Sequence, residues 1–218
     1  MRLHFSLTPN IQTIPFDYQH FLIGVFHKWM GWNVIHDEIS LYSLSWLQNG
    51  KMTTAGLDFS HGAKWFISFW DEEMCRQLVT NAMNNPDVFY GMVVKEIQMQ
   101  ETPNFSGKEK FILSSPVFIR KYDENRKAIH LTYKDEEANY YLTETIKKKL
   151  SAAHLDYDVK IYFDKNYNAS KTKLVKINGI ENKANFCPVI VEGNPEAVKF
   201  AWNVGIGHST GSGFGAIY

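Results

Sequence analysis

Eleven residues near the carboxyl end, Gly205-Ile206-Gly207-His208-Ser209-Thr210-Gly211-Ser212-Gly213-Phe214-Gly215, combine five glycines with three hydroxyl side chains and a histidine. Glycine adopts positive φ readily and lets another molecule approach the main chain. Consecutive free amides in such a loop can cradle an anion. Two familiar phosphate loops fit poorly. A Walker loop needs Gly-Lys-Ser/Thr, and this run has no lysine. A dinucleotide fingerprint needs a strand before it and a helix after it, whereas here a helical pattern comes first and the sequence stops three residues after Gly215. A turn leading into an edge strand explains the glycines equally well, and spacing alone leaves both readings open.

The chain has eight histidines, the side chains best suited to carry protons near neutral pH. His20, Gly24 and His27 are spaced four and then three apart, which places them on one helical face. His4, His61, His130 and His154 lack ligand spacing. Cys75 and Cys187 have no CxxC partner, so no metal or cofactor is expected. Two isolated thiols suit a reducing cytoplasm. No run approaches the roughly 18 apolar residues of a membrane span, and the amino end has no signal-peptide pattern. The net charge is zero, which argues against non-specific coating of nucleic acid. Its distribution is uneven, however: 17 basic against 13 acidic residues from Ser106 onward, and 6 against 10 before it. Lys171-Thr172-Lys173 begins an alternating stretch whose lysines form a basic track, with Lys176 less well in phase. Lys147-Lys148-Lys149 closes a helical pattern, where positive charge either offsets the helix dipole or contacts RNA.

The elements that must position these groups follow from periodicity. Arg2 to Leu7 alternates as a strand. Asp17 is expected to cap a helix from Tyr18 to Met30, with Phe21, Leu22, Val25, Phe26 and Trp29 at helical spacing. Ile39 to Leu47 and Lys64 to Phe69 read as strands. Asp71-Glu72-Glu73 opens a second helix that ends at Asn84-Asn85-Pro86, and Val88 to Met99 is extended. This strand-helix-strand-strand-helix-strand order is the ferredoxin-like unit. The second half repeats it: Phe111 to Lys121 extended and interrupted by Pro116, Glu136 to Leu150 helical, then strands at Tyr157 to Phe163, Leu174 to Ile177 and Pro188 to Val191. A helix starts at Asn194-Pro195-Glu196, with proline at its first position, and Phe214 to Tyr218 closes the fold. The expectation is an α+β protein of tandem ferredoxin-like (βαββαβ) domains, residues 1–101 and 108–218, with the glycine-rich loop 205–215 in the second.

Gly205-Ile206-Gly207, a short polar loop and then Gly213-Phe214-Gly215 resemble the carboxyl-terminal signature of the CRISPR repeat-processing endoribonucleases. These belong to a wider superfamily of repeat-associated RNA-binding proteins. Met1-Arg2-Leu3, His20-Phe21-Leu22-Ile23-Gly24-Val25-Phe26, Leu41-Tyr42-Ser43-Leu44, Asn85-Pro86-Asp87-Val88 and Leu113-Ser114-Ser115-Pro116-Val117 resemble further segments of that family, in order along the chain. The resemblance implies binding of CRISPR repeat RNA and one metal-independent cut per repeat, leaving a 2′,3′-cyclic phosphate. It implies His36, which follows the first helix, as general base, flanked by Asp37 and Glu38. It also implies His27 as second proton-transfer residue, at a helix position where the family also carries Tyr. Lys28 and Lys51 are candidates for stabilising the transition-state phosphate. Gly205, Gly207, His208, Ser209, Thr210, Gly211, Ser212 and Gly213, with Lys171 and Lys173, are expected to hold RNA. The alternative is a non-catalytic subunit that binds guide RNA within a CRISPR effector complex. A homodimer, or association with other effector subunits, is compatible with either.

Overall fold

The computed structural model describes residues 1–31, 39–177 and 179–218. His36, expected as the general base, lies outside the described residues. The first strand, β1 (Arg2–Leu7), turns Leu3, Phe5 and Leu7 into the core. Helix α1 (Gln19–Met30) lays Leu22, Val25, Phe26 and Trp29 on the same core. Asp17 does not cap this helix. Tyr18 stands at the cap position with no side-chain bond to the helix's first amides, and the Asp17 carbonyl instead accepts from His20 Nδ1 at 2.8 Å. After α1 come β2 (Tyr42–Leu44), a small hairpin of β3 (Lys51–Met52) and β4 (Leu57–Asp58), then β5 (Ala63–Phe69), α2 (Glu72–Asn84) and β6 (Val94–Gln100). Asp71 caps α2 as its sequence suggests, accepting from the amides of Glu73 and Met74.

The sheet order is β2-β5-β1-β6, with every neighbouring pair antiparallel. This is the ferredoxin-like order, produced when two strand-helix-strand units interleave. The core under the helices is aromatic. Phe5 stacks on Trp29 at 5.4 Å, and Trp29 meets Trp65 at 5.9 Å. Each buried ring of this size contributes about 1.5–3 kcal/mol through removal from water.

The second half contains β7 (Lys108–Phe111), a hairpin of β8 (Arg120–Tyr122) and β9 (Ala128–His130), α3 (Ala138–Ala152) and β10 (Val159–Phe163). A longer hairpin follows, β11 (Lys171–Ile177) and β12 (Ile180–Phe186), then β13 (Val189–Gly193) and α4 (Pro195–Val204). Its sheet runs β10-β13-β7. The chain end supplies the fourth position: Ile112 and Tyr218 exchange backbone hydrogen bonds of 3.2 and 2.9 Å, and Leu113 bridges Ile217. The same order is therefore repeated, with two hairpins added. The expected strand from Phe111 to Lys121 is broken. β7 stops at Phe111, Val117 and Phe118 make single bridges to Asn185 and His208, and β8 begins at Arg120. Pro116 has no amide to donate and cannot continue a ladder.

The halves meet along a seam of main chain. Ser43 Oγ donates to the Asn203 carbonyl at 3.2 Å, the Trp46 amide to Ser114 O at 3.0 Å, and Trp46 Nε1 to Gly213 O at 2.8 Å. Arg2 is wholly buried there, its guanidinium between the rings of Phe66 (4.0 Å) and Trp202 (3.6 Å). It donates to Ser68 Oγ, Trp202 O and Ile217 O. Burial pulls its pKa down to about 9.

Candidate functional site

The glycine-rich loop is built by the end of α4 and by what it must pack against. Asn194 caps α4 and Pro195 opens it, as expected from sequence. The helix stops at Gly205, whose φ of +72° turns the chain into the seam. From there the loop is mostly buried, and only His208, Ser209 and Ser212 are partly exposed. Several of its amides are consumed: Ile206 donates to Gly215 O, His208 to Phe118 O, Gly213 to Thr210 O and Gly215 to Pro116 O.

Gly205, Gly207, Gly211, Gly213 and Gly215 are all buried, and two of them show why a side chain is excluded. A Cβ at Gly211 would stand 2.5 Å from Ser40 Oγ and 2.8 Å from Tyr42 Oη. A Cβ at Gly215, where φ is +64°, would collide with the Ile206 carbonyl. The loop is first a close-packed joint between the halves. Its contact with solvent is confined to the turn around His208–Ser212.

That turn borders a recess of about 290 Å³, walled by Ile39 and Ser40 on one side and by Gly207–Thr210 on the other. Its base comes from α3. Leu142, Thr145, Ile146, Lys149 and Leu150 are buried at helical spacing, so Lys149 lies on the apolar stripe of its helix. The Lys149 ammonium donates to Val204 O (2.8 Å), Gly205 O (3.3 Å) and Thr210 Oγ1 (2.8 Å). Burial alone pulls its pKa down to about 7. Lys149 stands in the last turn of α3, as the helix-dipole reading expects, but its ammonium is buried and spent on Val204 O, Gly205 O and Thr210 Oγ1. The i, i+3, i+4, i+7 spacing with Leu142, Thr145 and Ile146 was the available signal.

His208 lies on the loop side of the recess, with its Nδ1 accepting a long bond from the Arg120 amide at 3.4 Å. Burial, then Arg120, Lys148 and Lys149, push its pKa down to about 4, so the ring is neutral near pH 7. Among the described residues, no carboxylate lines this recess.

The other expected residues are distributed around this centre. His27 is half-buried on α1, its ring 5.5 Å from Phe26, and α1 itself lies against the loop's turn. Lys28 is not directed to the loop. Its ammonium donates to Asn85 Oδ1 at 3.2 Å and to the Asp87 carbonyl, tying α1 to the segment after α2. Lys51 is exposed on the β3–β4 hairpin, and no contact among the described residues brings it to the recess. Lys173 is better placed than its alternation alone indicated. It stands 4.9 Å over the Trp46 ring, and Trp46 in turn holds Gly213 O. Lys171 alternates onto the same face of β11. Val175, on that face too, packs with Phe214, so the basic track runs up to the end of the glycine loop.

The chain matches the family model described as CRISPR associated protein Cas6, C-terminal, over residues 97–218. It belongs to the Cas6 family. That membership makes it a protein of CRISPR RNA processing or RNA binding. Solved structures share the fold along the entire chain. A Cas6-related protein from Pyrococcus furiosus superposes with a TM-score of 0.85 at 18% identity, covering 100% of this chain and 97% of that one. A CRISPR associated protein Cas6 gives 0.84 at 20% identity, covering 100% and 98%. A structure described as a RAMP protein binding different RNA substrates gives 0.81 at 18% identity, again covering 100% and 98%. No curated protein matches the sequence. The tandem ferredoxin-like reading is thereby upheld, and none of the described helices is long and apolar enough to cross a membrane.

Proposed function

We propose that this chain is a metal-independent endoribonuclease that cuts CRISPR precursor RNA within its repeats, using two domains divided at residues 101–108. In this reading the ribose 2′-OH attacks the adjacent phosphorus. The new P–O2′ bond forms as the P–O5′ bond breaks, leaving a 2′,3′-cyclic phosphate and a free 5′-OH. His36 takes the 2′ proton as general base, and His27 delivers a proton to the departing 5′ oxygen. His208, Ser209, Thr210 and Ser212 hold the backbone at the loop's open turn, while Lys171 and Lys173 guide the flanking strand.

The observation that carries this reading is the cationic recess beside Ile39 and Ser40, which follow His36 in sequence by three and four residues. It gathers Lys148, Lys149 and a neutral His208, with no lining carboxylate among the described residues. A site of that composition favours a phosphate over a metal ion, because hard cations require oxygen anions as ligands. Lys28 and Lys51 have no part in this version of the site. Substituting His36→Ala tests it: cleavage of repeat RNA is expected to disappear while RNA binding is retained. Full activity in that variant removes His36 as the base. A wild-type protein that binds repeat RNA tightly without cutting it is a guide-RNA-binding subunit instead.

A further inference from the structure

Lys149 is an unusual cation. It is buried, and its three donors reach two carbonyls and one hydroxyl. No anion balances it among the described residues. A buried charge with only neutral partners is costly to a fold. The cost becomes intelligible if a negative group arrives from outside, and here the access is visible: Lys149 and Thr210 both line the recess.

Thr210 connects the buried charge to the opening. Its hydroxyl oxygen accepts from Lys149 at 2.8 Å, and the hydroxyl's own proton has no acceptor among the described residues. That proton is polarised by the ammonium behind it, which strengthens any bond it donates. His208 adds a second fixed donor. With Nδ1 accepting from the Arg120 amide, the ring proton of the neutral form sits on Nε2, a tautomer assigned from this geometry. The other cations facing the group come from two elements, Lys148 on α3 and Arg120 on β8. The recess, at about 290 Å³, holds a tetrahedral oxyanion and several waters, at about 30 Å³ per water.

We propose that this recess is an oxyanion subsite for a single RNA phosphate, with Thr210 Oγ1–H and His208 Nε2–H as its donors and Lys149 as the positioning charge behind Thr210. Its natural ligand rests on the RNA reading above, but the subsite itself takes an isolated oxyanion. The Lys149 pKa of about 7 gives the binding a pH signature. The charge is present below pH 7 and is lost as pH rises, so an anion of constant charge binds best on the acid side.

The test uses the full chain, sodium sulfate as the probe, and sodium chloride at matched ionic strength as the reference. At 100 times its Kd, sulfate is expected to raise the wild-type Tm by about 5–10 °C at pH 6.5, and by much less at pH 8.5. Thr210→Val keeps the side-chain shape and the lysine but loses the donor, and is expected to lose most of that shift. It should also weaken repeat-RNA binding about tenfold, as expected for one charge-assisted hydrogen bond. Lys149→Met should abolish the pH dependence; if it fails to fold, Thr210→Val still decides. Sulfate stabilises many proteins by exclusion from their surface. Equal shifts in wild type and Thr210→Val, or a shift independent of pH, overturn the subsite. A sulfate effect with unchanged RNA affinity in Thr210→Val overturns its assignment to RNA. The nuclease reading fails separately, if wild type does not cut repeat RNA while sulfate still discriminates the variants.

Discussion

Arg2 and Lys149 are both buried cations along the seam between the halves, and neither has a carboxylate partner among the described residues. Their surroundings differ in kind. Arg2 is sealed between the faces of Phe66 and Trp202 and donates to carbonyls from the far end of the chain. Ring quadrupoles and carbonyl dipoles substitute for water around a delocalised guanidinium. Lys149 carries a compact charge, touches three oxygens and borders an open recess. The contrast separates a cation enclosed by rings, with its Nη1 left without a hydrogen-bond partner among the described residues, from one whose three donors are met but which borders an opening to solvent. Arg2 joins the halves; Lys149 prepares the joint to receive an anion.

That contrast is open to direct attack. The largest effect is expected from Arg2→Ala, which removes the rivet, opens a cavity between two rings and strands two carbonyls. It should cost about 3–5 kcal/mol in urea unfolding; a loss within 1 kcal/mol would mean that the seam does not depend on Arg2. Next comes the pH dependence of Lys149. The unfolded chain keeps the Lys149 proton up to about pH 10.5, whereas the folded protein releases it near pH 7. Raising the pH therefore favours the folded wild type. Its stability relative to Lys149→Met should grow by about 2 kcal/mol between pH 7 and 9, and a gap constant with pH would show that Lys149 is not held in a low-dielectric site. Gly211→Ala, which forces a Cβ against Ser40 and Tyr42, should cost about 1–2 kcal/mol by overpacking. An unchanged denaturation midpoint would show that the joint has slack there. The smallest change in stability belongs to Lys173→Ala. It should leave the midpoint within about 0.5 kcal/mol and lower the salt dependence of RNA binding by about one counterion. An identical salt slope removes β11 from the RNA path.

Much of the architecture was legible because its signals are local. Alternation in Arg2–Leu7, the acidic start of α2 and Asn194-Pro195 at α4 each specify an element within a few residues, and the structure agrees. The β12 strand was missed because Asn182 breaks the apolar alternation of Ile180-Glu181-Asn182-Lys183-Ala184-Asn185-Phe186. Only its tertiary setting, with Ala184 and Asn185 both buried, makes it a strand. The glycine loop was recognised by composition, but its burial against the first half was not legible there. Glycines that admit a ligand and glycines that admit a neighbouring strand look identical in sequence, and here Tyr42, Phe118 and Ile206 fill the space. Lys149 was hidden inside a lysine triplet, where charge drew attention away from helical phase. Arg2 drew none, since a lone arginine in a first strand carries no sign that two aromatic rings from distant segments will enclose it.

The proposed reaction is an RNA cut made by side chains alone. The most direct measurement incubates wild-type protein with the organism's own repeat RNA in excess EDTA and maps both new ends. One cut per repeat, with a 2′,3′-cyclic phosphate on one fragment and a 5′-hydroxyl on the other, is the predicted result. No cut, or a cut that vanishes in EDTA and returns with added metal, contradicts it.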